Sequence, residues 1–127
     1  MSLRYLIVDD SEEFVAAAKE LLRTQGLDVV GSATSAAQAL ELVLALTPDV
    51  ALVDIELGDD DGFDLAERLT VTSPATRVVL ISAYDRQELG DLIAGSRAVG
   101  FIPKRAIGAA TVEGLVGPGG SLGLRSE

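Results

Sequence analysis

Charged or hydroxyl side chains follow four apolar runs of the chain, at the points where those runs end. Asp9 and Asp10 end LIVDD, Asp54 ends VALVD, Ser82 ends VVLIS and Lys104 ends GFIPK. Three carboxylates that converge on one place repel one another unless a cation or a proton lies between them. A lysine and a hydroxyl beside them add donors for the oxygens of an anion. The combination indicates a site that binds a cation together with an anionic group.

Magnesium is the cation that this set of residues predicts. It binds oxygen ligands and commonly takes one or two carboxylates together with water and phosphate oxygens. Zinc more often binds histidine or cysteine, and the chain contains neither. A metal that spreads charge and a lysine that binds oxygens are what a carboxylate nucleophile needs in phosphoryl transfer. Asp54 could therefore become an aspartyl phosphate.

Five short apolar runs that contain β-branched residues predict five strands. They cover residues 3–8, 27–31, 50–53, 78–81 and 99–102. The segments between them have the spacing of amphipathic helices, with apolar residues recurring about every 3.6 positions. Ser11, Ser35 and Asp61 are placed to cap the first three helices. A brief fifth helix is predicted over residues 109–116.

Strand and helix alternate along the chain, which predicts an α/β fold of the (βα)5 type. Strands that are almost continuously apolar and are separated by helices are typical of a parallel sheet with helices on both faces, a doubly wound arrangement. Ligands bind such sheets at the C-terminal ends of the strands. The residues that end the apolar runs should therefore meet at one edge.

The composition predicts one folded domain that does not bind nucleic acid directly. Of the 127 residues, 48% are hydrophobic and 24% are charged, as in ordinary globular proteins. The formal net charge of −10 opposes contact with nucleic acid phosphates or an anionic membrane. No segment has about 20 successive apolar residues, so a soluble cytoplasmic protein is the simplest interpretation. We expect the domain to occupy residues 1–116 and the glycine-rich residues 117–127 to form a flexible tail.

Together these motifs resemble the CheY-like receiver domain of response regulators in two-component signal transduction. The resemblance covers residues 4–116, and its motifs occur in order. They are the acidic pair in LIVDD, the aspartate in LVDIELGDDDG, the serine in VVLISA and the lysine in GFIPK. The resemblance implies a flavodoxin-like fold, with a parallel five-stranded sheet in the strand order 2-1-3-4-5.

The resemblance also implies roles at the acidic site. Asp54 would be the phosphoacceptor and a metal ligand, Asp10 a direct ligand of Mg²⁺ and Asp9 a ligand through water. The backbone carbonyl of Glu56 would complete the protein's share of the ligands. The acidic residues 59–61 are interpreted as a solvated turn that could still attract the cation.

A second group of residues would respond to the phosphoryl group. Lys104 and Ser82 would contact its oxygens. Phe101 stands where the family has an aromatic switch residue that turns inward when the serine moves, although an aromatic residue there can also be ordinary core. Glu56 and Tyr84 lie two positions after the phosphoacceptor and the serine, at places that vary in the family and border the phosphoryl group. Both are interpreted as bystanders that could also tune its hydrolysis.

Four positions depart from the family pattern. Gly58 replaces a usual proline, so the loop after Asp54 should be more flexible. Arg105 stands where many receivers have proline after a cis bond, and because a cis bond before another residue costs about 2.5–4 kcal/mol, we expect a trans or a strained cis bond. Gly90 and Gly95 fall inside the expected fourth helix, and each weakens it by about 1 kcal/mol relative to alanine. A mobile signalling face is predicted.

The predicted function is that of a switch more than an enzyme. A histidine kinase or phosphotransfer protein would phosphorylate Asp54 with Mg²⁺, and the receiver would promote this reaction and its own slow dephosphorylation. The surface of the fourth helix, fifth strand and fifth helix would report the change, with a homodimer as one outcome. Because GFIPK lacks a following proline, it is similar to receivers that precede helix-turn-helix DNA-binding domains, so the chain could regulate transcription.

Two alternatives stay open. A Mg²⁺-dependent phosphatase or phosphotransferase that acts through an aspartyl phosphate would need a second carboxylate, which Glu56 could supply, and a cap over the substrate, which nothing in this short chain supplies. A receiver-like interaction module that works without phosphorylation would usually have lost Asp54 or Lys104, and both are present.

Overall fold

Five parallel strands form the main sheet of the computed structural model, which describes residues 3–84 and 86–116. They are β1 (Arg4–Val8), β2 (Asp28–Ala33), β3 (Val50–Asp54), β4 (Arg77–Ser82) and β5 (Gly100–Pro103). Their order across the sheet is β2-β1-β3-β4-β5, and every neighbouring pair is parallel. The predicted flavodoxin-like fold is confirmed.

Five helices connect or follow the strands. They are α1 (Glu12–Thr24), α2 (Ala36–Leu46), α3 (Gly62–Thr72), α4 (Arg86–Ala94) and α5 (Ala109–Val116). The predicted caps of the first three are confirmed, because the side chains of Ser11, Ser35 and Asp61 each accept a hydrogen bond from a backbone N–H of the first turn. The bounds predicted for the fifth helix are also confirmed.

The sheet is buried on both faces, which is why its strands are apolar at nearly every position. In β1, Leu6 and Val8 point into a core that α2, α3 and α4 cover, whereas Tyr5 and Ile7 point into a core that α1 and α5 cover. All five residues of β3 are buried. The central strand therefore holds the residue at its end, Asp54, in a fixed position.

Several details differ from the predicted elements. Glu56–Leu57 and Asp60–Asp61 form a short antiparallel pair after β3. Lys104–Ala106 forms one turn of 3₁₀-helix after β5. Gly95 was expected inside the fourth helix, but α4 ends at Ala94, so only Gly90 interrupts it.

The predicted tail, residues 117–127, lies outside the described residues. Within the described ranges, no helix is both long and apolar enough to cross a membrane.

Candidate functional site

Three aspartates meet at the C-terminal edge of the sheet. Asp9 directly follows β1, and Asp54 is the last residue of β3, the strand that pairs with β1. Asp9 is 0% exposed and Asp54 is 4% exposed, whereas Asp10 lies on the surface. Carboxylate oxygens of the three residues lie within 4.8 Å of one another. The sheet topology thus brings together the acidic residues that their positions after strands predicted.

Lys104 reaches this group from the turn after β5. Its Nζ lies 2.6 Å from Asp9 Oδ2 and donates a hydrogen bond of 3.2 Å to Asp54 Oδ2. Burial, the largest influence, lowers the pKa of Lys104, but the nearby carboxylates of Asp9 and Asp54 together outweigh it and raise the pKa above its usual value. Lys104 is therefore a cation throughout the physiological pH range.

Local hydrogen bonds explain the orientation of the Asp9 carboxylate. Its Oδ1 accepts a hydrogen bond of 2.9 Å from the backbone N–H of Ser11, the cap residue of α1. Its Oδ2 is buried and accepts no hydrogen bond of good geometry from the described residues, although Lys104 Nζ is close enough for an ion pair. A buried carboxylate oxygen with an incomplete set of donors is a ready ligand for a cation.

Asp54 is held by both neighbouring chain segments. Its Oδ1 accepts a hydrogen bond of 3.1 Å from the backbone N–H of Glu56, and its Oδ2 accepts the one from Lys104. Burial raises the pKa of Asp54 from 3.8 to about 6, and the negative charge of Asp9 adds to this increase. The hydrogen bond from Glu56 and the charge of Lys104 lower the pKa, but by less. The ionised carboxylate is therefore present at neutral pH at a cost to the fold.

Replacing Asp54 with asparagine is expected to stabilise the fold at neutral pH in the absence of metal. The pKa of this carboxyl is 3.8 in the unfolded chain and about 6 in the folded protein. The stabilisation by the bound proton is complete below about pH 4 and is lost as the pH rises through about 6. At about pH 7 with chelator, Asp54→Asn should raise the free energy of unfolding by up to about 3 kcal/mol, measured by urea denaturation.

The pH dependence provides the control for this stability prediction. Wild type becomes neutral at Asp54 when the pH is lowered to about 4.5, so the advantage of the asparagine variant should shrink there. Adding Mg²⁺ at neutral pH should stabilise wild type more than the variant, because the cation offsets the same repulsion. If the asparagine variant were more stable than wild type by the same free energy at both pH values, the ionisation of Asp54 would not be the cause.

Ser82 and Phe101 lie on adjacent strands near the site. Ser82 ends β4 and is 1% exposed, and its Oγ accepts a hydrogen bond of 3.0 Å from the backbone N–H of Tyr84. Tyr84 is 48% exposed. Phe101 is 9% exposed and belongs to the core under α2, α3 and α4, so it has a core role. Its role as a switch stays a prediction, as does the tuning role of Tyr84.

The loop after Asp54 is a tight acidic turn. Gly58 has a φ of 63°, which is unavailable to proline, and a Cβ added there would lie 3.3 Å from Asp10 Oδ2. Asp61 caps α3, as predicted. The loop has a second anchor that the sequence did not indicate, because Asp60 Oδ2 accepts a hydrogen bond of 3.0 Å from the N–H of Ala36 in α2.

Gly62 is a structural residue of the site that sequence reasoning missed. Its N–H donates a hydrogen bond of 2.9 Å to the carbonyl oxygen of Ile55, and a Cβ added to it would lie 2.1 Å from the carbonyl oxygen of Asp54. Only glycine permits this close approach of α3 to the end of β3. A glycine in the first position of a helix, directly after a capping aspartate, was the available signal.

An open cleft of about 530 Å³ lies over these residues. It is lined by Asp10, Asp54, Ile55, Glu56, Gly58, Asp60, Asp61 and Lys104. The carboxylate oxygens in this lining fit a hard divalent cation, and the ammonium group of Lys104 fits the oxygens of an anion. The peptide bond between Lys104 and Arg105 is trans, one of the two geometries expected.

Known proteins are similar to this chain over most of its length. The profile of the family described as response regulator receiver domain matches residues 5–112. The chemotaxis protein CheY of Thermotoga maritima is 29% identical over 115 residues, which are 91% of this chain and 96% of that protein. The signal receiver domain of the response regulator NarL from Mycobacterium tuberculosis has a TM-score of 0.75 and 34% identity, with 84% of this chain and 86% of that one covered.

Other relatives are much longer than the matched region. A protein-glutamate methylesterase/protein-glutamine glutaminase of Alkalilimnicola ehrlichii is 40% identical over 110 residues, which are 83% of this chain but 27% of that protein. This chain spans 27%, 36% and 49% of the length of three of its curated relatives. The similarity extends to one domain of these proteins and leaves the rest of them unmatched.

Proposed function

This chain belongs to the response regulator receiver domain family, and we propose that it accepts a phosphoryl group on Asp54 and thereby switches its signalling surface. The observation that carries the proposal is the convergence of Asp54 with two further aspartates and Lys104 at one edge of the sheet. Receiver domains act mainly as signalling switches in two-component systems and interact with histidine kinases or phosphotransfer proteins.

The proposed reaction is a phosphoryl transfer between two protein side chains. A carboxylate oxygen of Asp54 attacks the phosphorus of a phosphohistidine, and the bond from phosphorus to the imidazole nitrogen breaks with its electron pair on the nitrogen. The products are an aspartyl phosphate and a neutral histidine after proton uptake. A small phosphodonor can replace the phosphohistidine, because the site itself contains the groups that promote the reaction.

Asp9, Asp10, Asp54 and the backbone carbonyl of Glu56 would hold Mg²⁺. Bound there, the cation would neutralise the carboxylates and spread the charge of the phosphoryl oxygens. The exposed position of Asp10 and the incomplete hydrogen bonding of Asp9 Oδ2 support these ligands. Lys104 supplies a fixed positive charge for a phosphoryl oxygen, since it already donates to Asp54 Oδ2.

Ser82 is proposed to report the modification. Its hydroxyl would turn to a phosphoryl oxygen, and Phe101 on the neighbouring strand would follow. The surface of α4, β5 and α5 would then change its affinity for a partner or for a second copy of the chain. Hydrolysis of the aspartyl phosphate would be slow, so the lasting product is the modified protein. A transcriptional output and a cytoplasmic location stay predictions.

Mass spectrometry of the intact protein tests the proposal. After incubation with a small phosphodonor and Mg²⁺, wild type should gain the mass of one phosphoryl group, and chelation of Mg²⁺ should lower the rate by at least about tenfold. Sizing of the labelled product would show whether a dimer forms. No uptake of phosphate by wild type would support the phosphorylation-independent module, and repeated release of phosphate from a phosphate ester would support the phosphatase.

A further inference from the structure

The ring of Phe14 lies against the proposed active-site lysine. Phe14 is in the first turn of α1, and Lys104 Nζ lies 4.6 Å from the centroid of its ring. At this distance an ammonium group is attracted to the electrons of an aromatic face. Phe14 is half-buried and packs at the border of the core that α1 and α5 cover. An aliphatic residue could fill this border position, but it would offer no face to the ammonium group.

Lys104 therefore has two kinds of partner, which differ in how they respond to the reaction. The carboxylates of Asp9 and Asp54 lie 2.6 Å and 3.2 Å from Nζ. Both are also groups that the cation would engage, so their attraction for the ammonium group decreases when the cation binds and before a phosphoryl oxygen reaches Lys104. The ring of Phe14 binds neither group, so its contact with Lys104 does not depend on their presence.

We propose that Phe14 is a positioning residue that keeps the ammonium group of Lys104 over the site while its carboxylate partners engage the cation and the phosphoryl group. The proposal rests on the proposed phosphoacceptor function. The side chain of Lys104 is 21% exposed, so it has a route into solvent. Its long stem loses rotamer entropy when it is held in place, and a contact that exists before the reaction reduces the loss during it.

Leucine and tyrosine substitutions separate the aromatic face from simple apolar volume. The initial rate of Asp54 labelling is measured with a small phosphodonor and Mg²⁺, so that docking of a kinase plays no part. Phe14→Leu should lower the rate about 3- to 10-fold, and Phe14→Tyr should keep it within about twofold of wild type. The affinity for Mg²⁺, measured by calorimetry, should be the same in all three proteins within about twofold.

A double-mutant cycle with Lys104→Met identifies the group through which Phe14 acts. On the Lys104→Met background, Phe14→Leu should have no further effect on the rate. In addition, the ε-methylene proton resonances of Lys104 should lose their ring-current shift in Phe14→Leu and keep it in Phe14→Tyr. Comparing the two backgrounds separates an effect through Lys104 from a general loss of packing.

The outcomes distinguish this inference from the proposed function. If wild type and Phe14→Leu are both labelled, and at the same rate, only the role of Phe14 is overturned. The same would follow if Phe14→Leu lowered the rate equally with and without Lys104, because the ring would then act through the packing of α1. Wild type that takes up no phosphate would overturn both the function and the role of Phe14.

Discussion

The Asp54→Asn variant is expected to take up no acid-labile phosphate from a small phosphodonor in the presence of Mg²⁺. Its amide oxygen can still accept the hydrogen bond from the Glu56 N–H, but it is a far weaker nucleophile than a carboxylate oxygen. The rate of labelling should fall by at least about 1000-fold, since the reaction then has no acceptor. Mass spectrometry of the intact protein measures the loss.

Asp28→Asn is the matched control. Asp28 is exposed and begins β2, at the opposite end of the sheet from the site, so the same change of charge should leave the rate of labelling unaltered. Because Asp54→Asn is also expected to be the more stable protein, its loss of labelling would not be an effect of unfolding. Undiminished labelling of the variant would place the phosphoryl group on another residue.

The Gly62→Ala variant is expected to lose both stability and labelling. A Cβ at this position would lie 2.1 Å from the carbonyl oxygen of Asp54 and 2.6 Å from Cα of Ile55, and both are backbone atoms that cannot move aside as a side chain would. The end of β3 or the start of α3 must shift, at a cost of about 3 kcal/mol. Thermal unfolding measures the first effect, and labelling of the remaining folded protein measures the second.

Gly90→Ala is the opposite case and serves as the control for Gly62. Gly90 lies inside α4, and a Cβ added there would have no atom within 4 Å apart from its chain neighbours and the backbone of its own helix. The same substitution should therefore stabilise the fold by about 0.5–1 kcal/mol, because alanine restricts the unfolded chain and favours the helix. If the two variants unfold at the same temperature, the close approach at Gly62 does not have the importance assigned to it.

The pattern of the sequence predicts the fold well, because its strands are buried on both faces. All five residues of β3 and four of the five in β1 are buried, so each strand is visible as an apolar run. In a parallel sheet the C-terminal ends of the strands lie at one edge, so the order of the motifs also predicts that Asp9, Asp54 and Lys104 converge. These inferences need only the spacing of apolar residues along the sequence and the order of the motifs.

Other contacts depend on how elements that are distant in the chain pack together, and no local sequence pattern contains this information. The contact of Phe14 with Lys104 joins residues that are far apart in the chain and depends on where α1 lies relative to the turn after β5. The hydrogen bond from Ala36 to Asp60 depends on how α2 meets the loop after β3. The need for glycine at position 62 becomes visible only when the backbone of Asp54 is in place.

The hydrogen bond from the N–H of Tyr84 to Ser82 Oγ has a consequence for the form of the output. If the hydroxyl of Ser82 moves to a phosphoryl oxygen, this bond breaks, and the two positions of the side chain exclude each other. Each molecule then has one of two discrete conformations and no intermediate one. A graded stimulus would change the proportion of molecules in each conformation, so the strength of the stimulus would determine the population and not the conformation of an individual molecule.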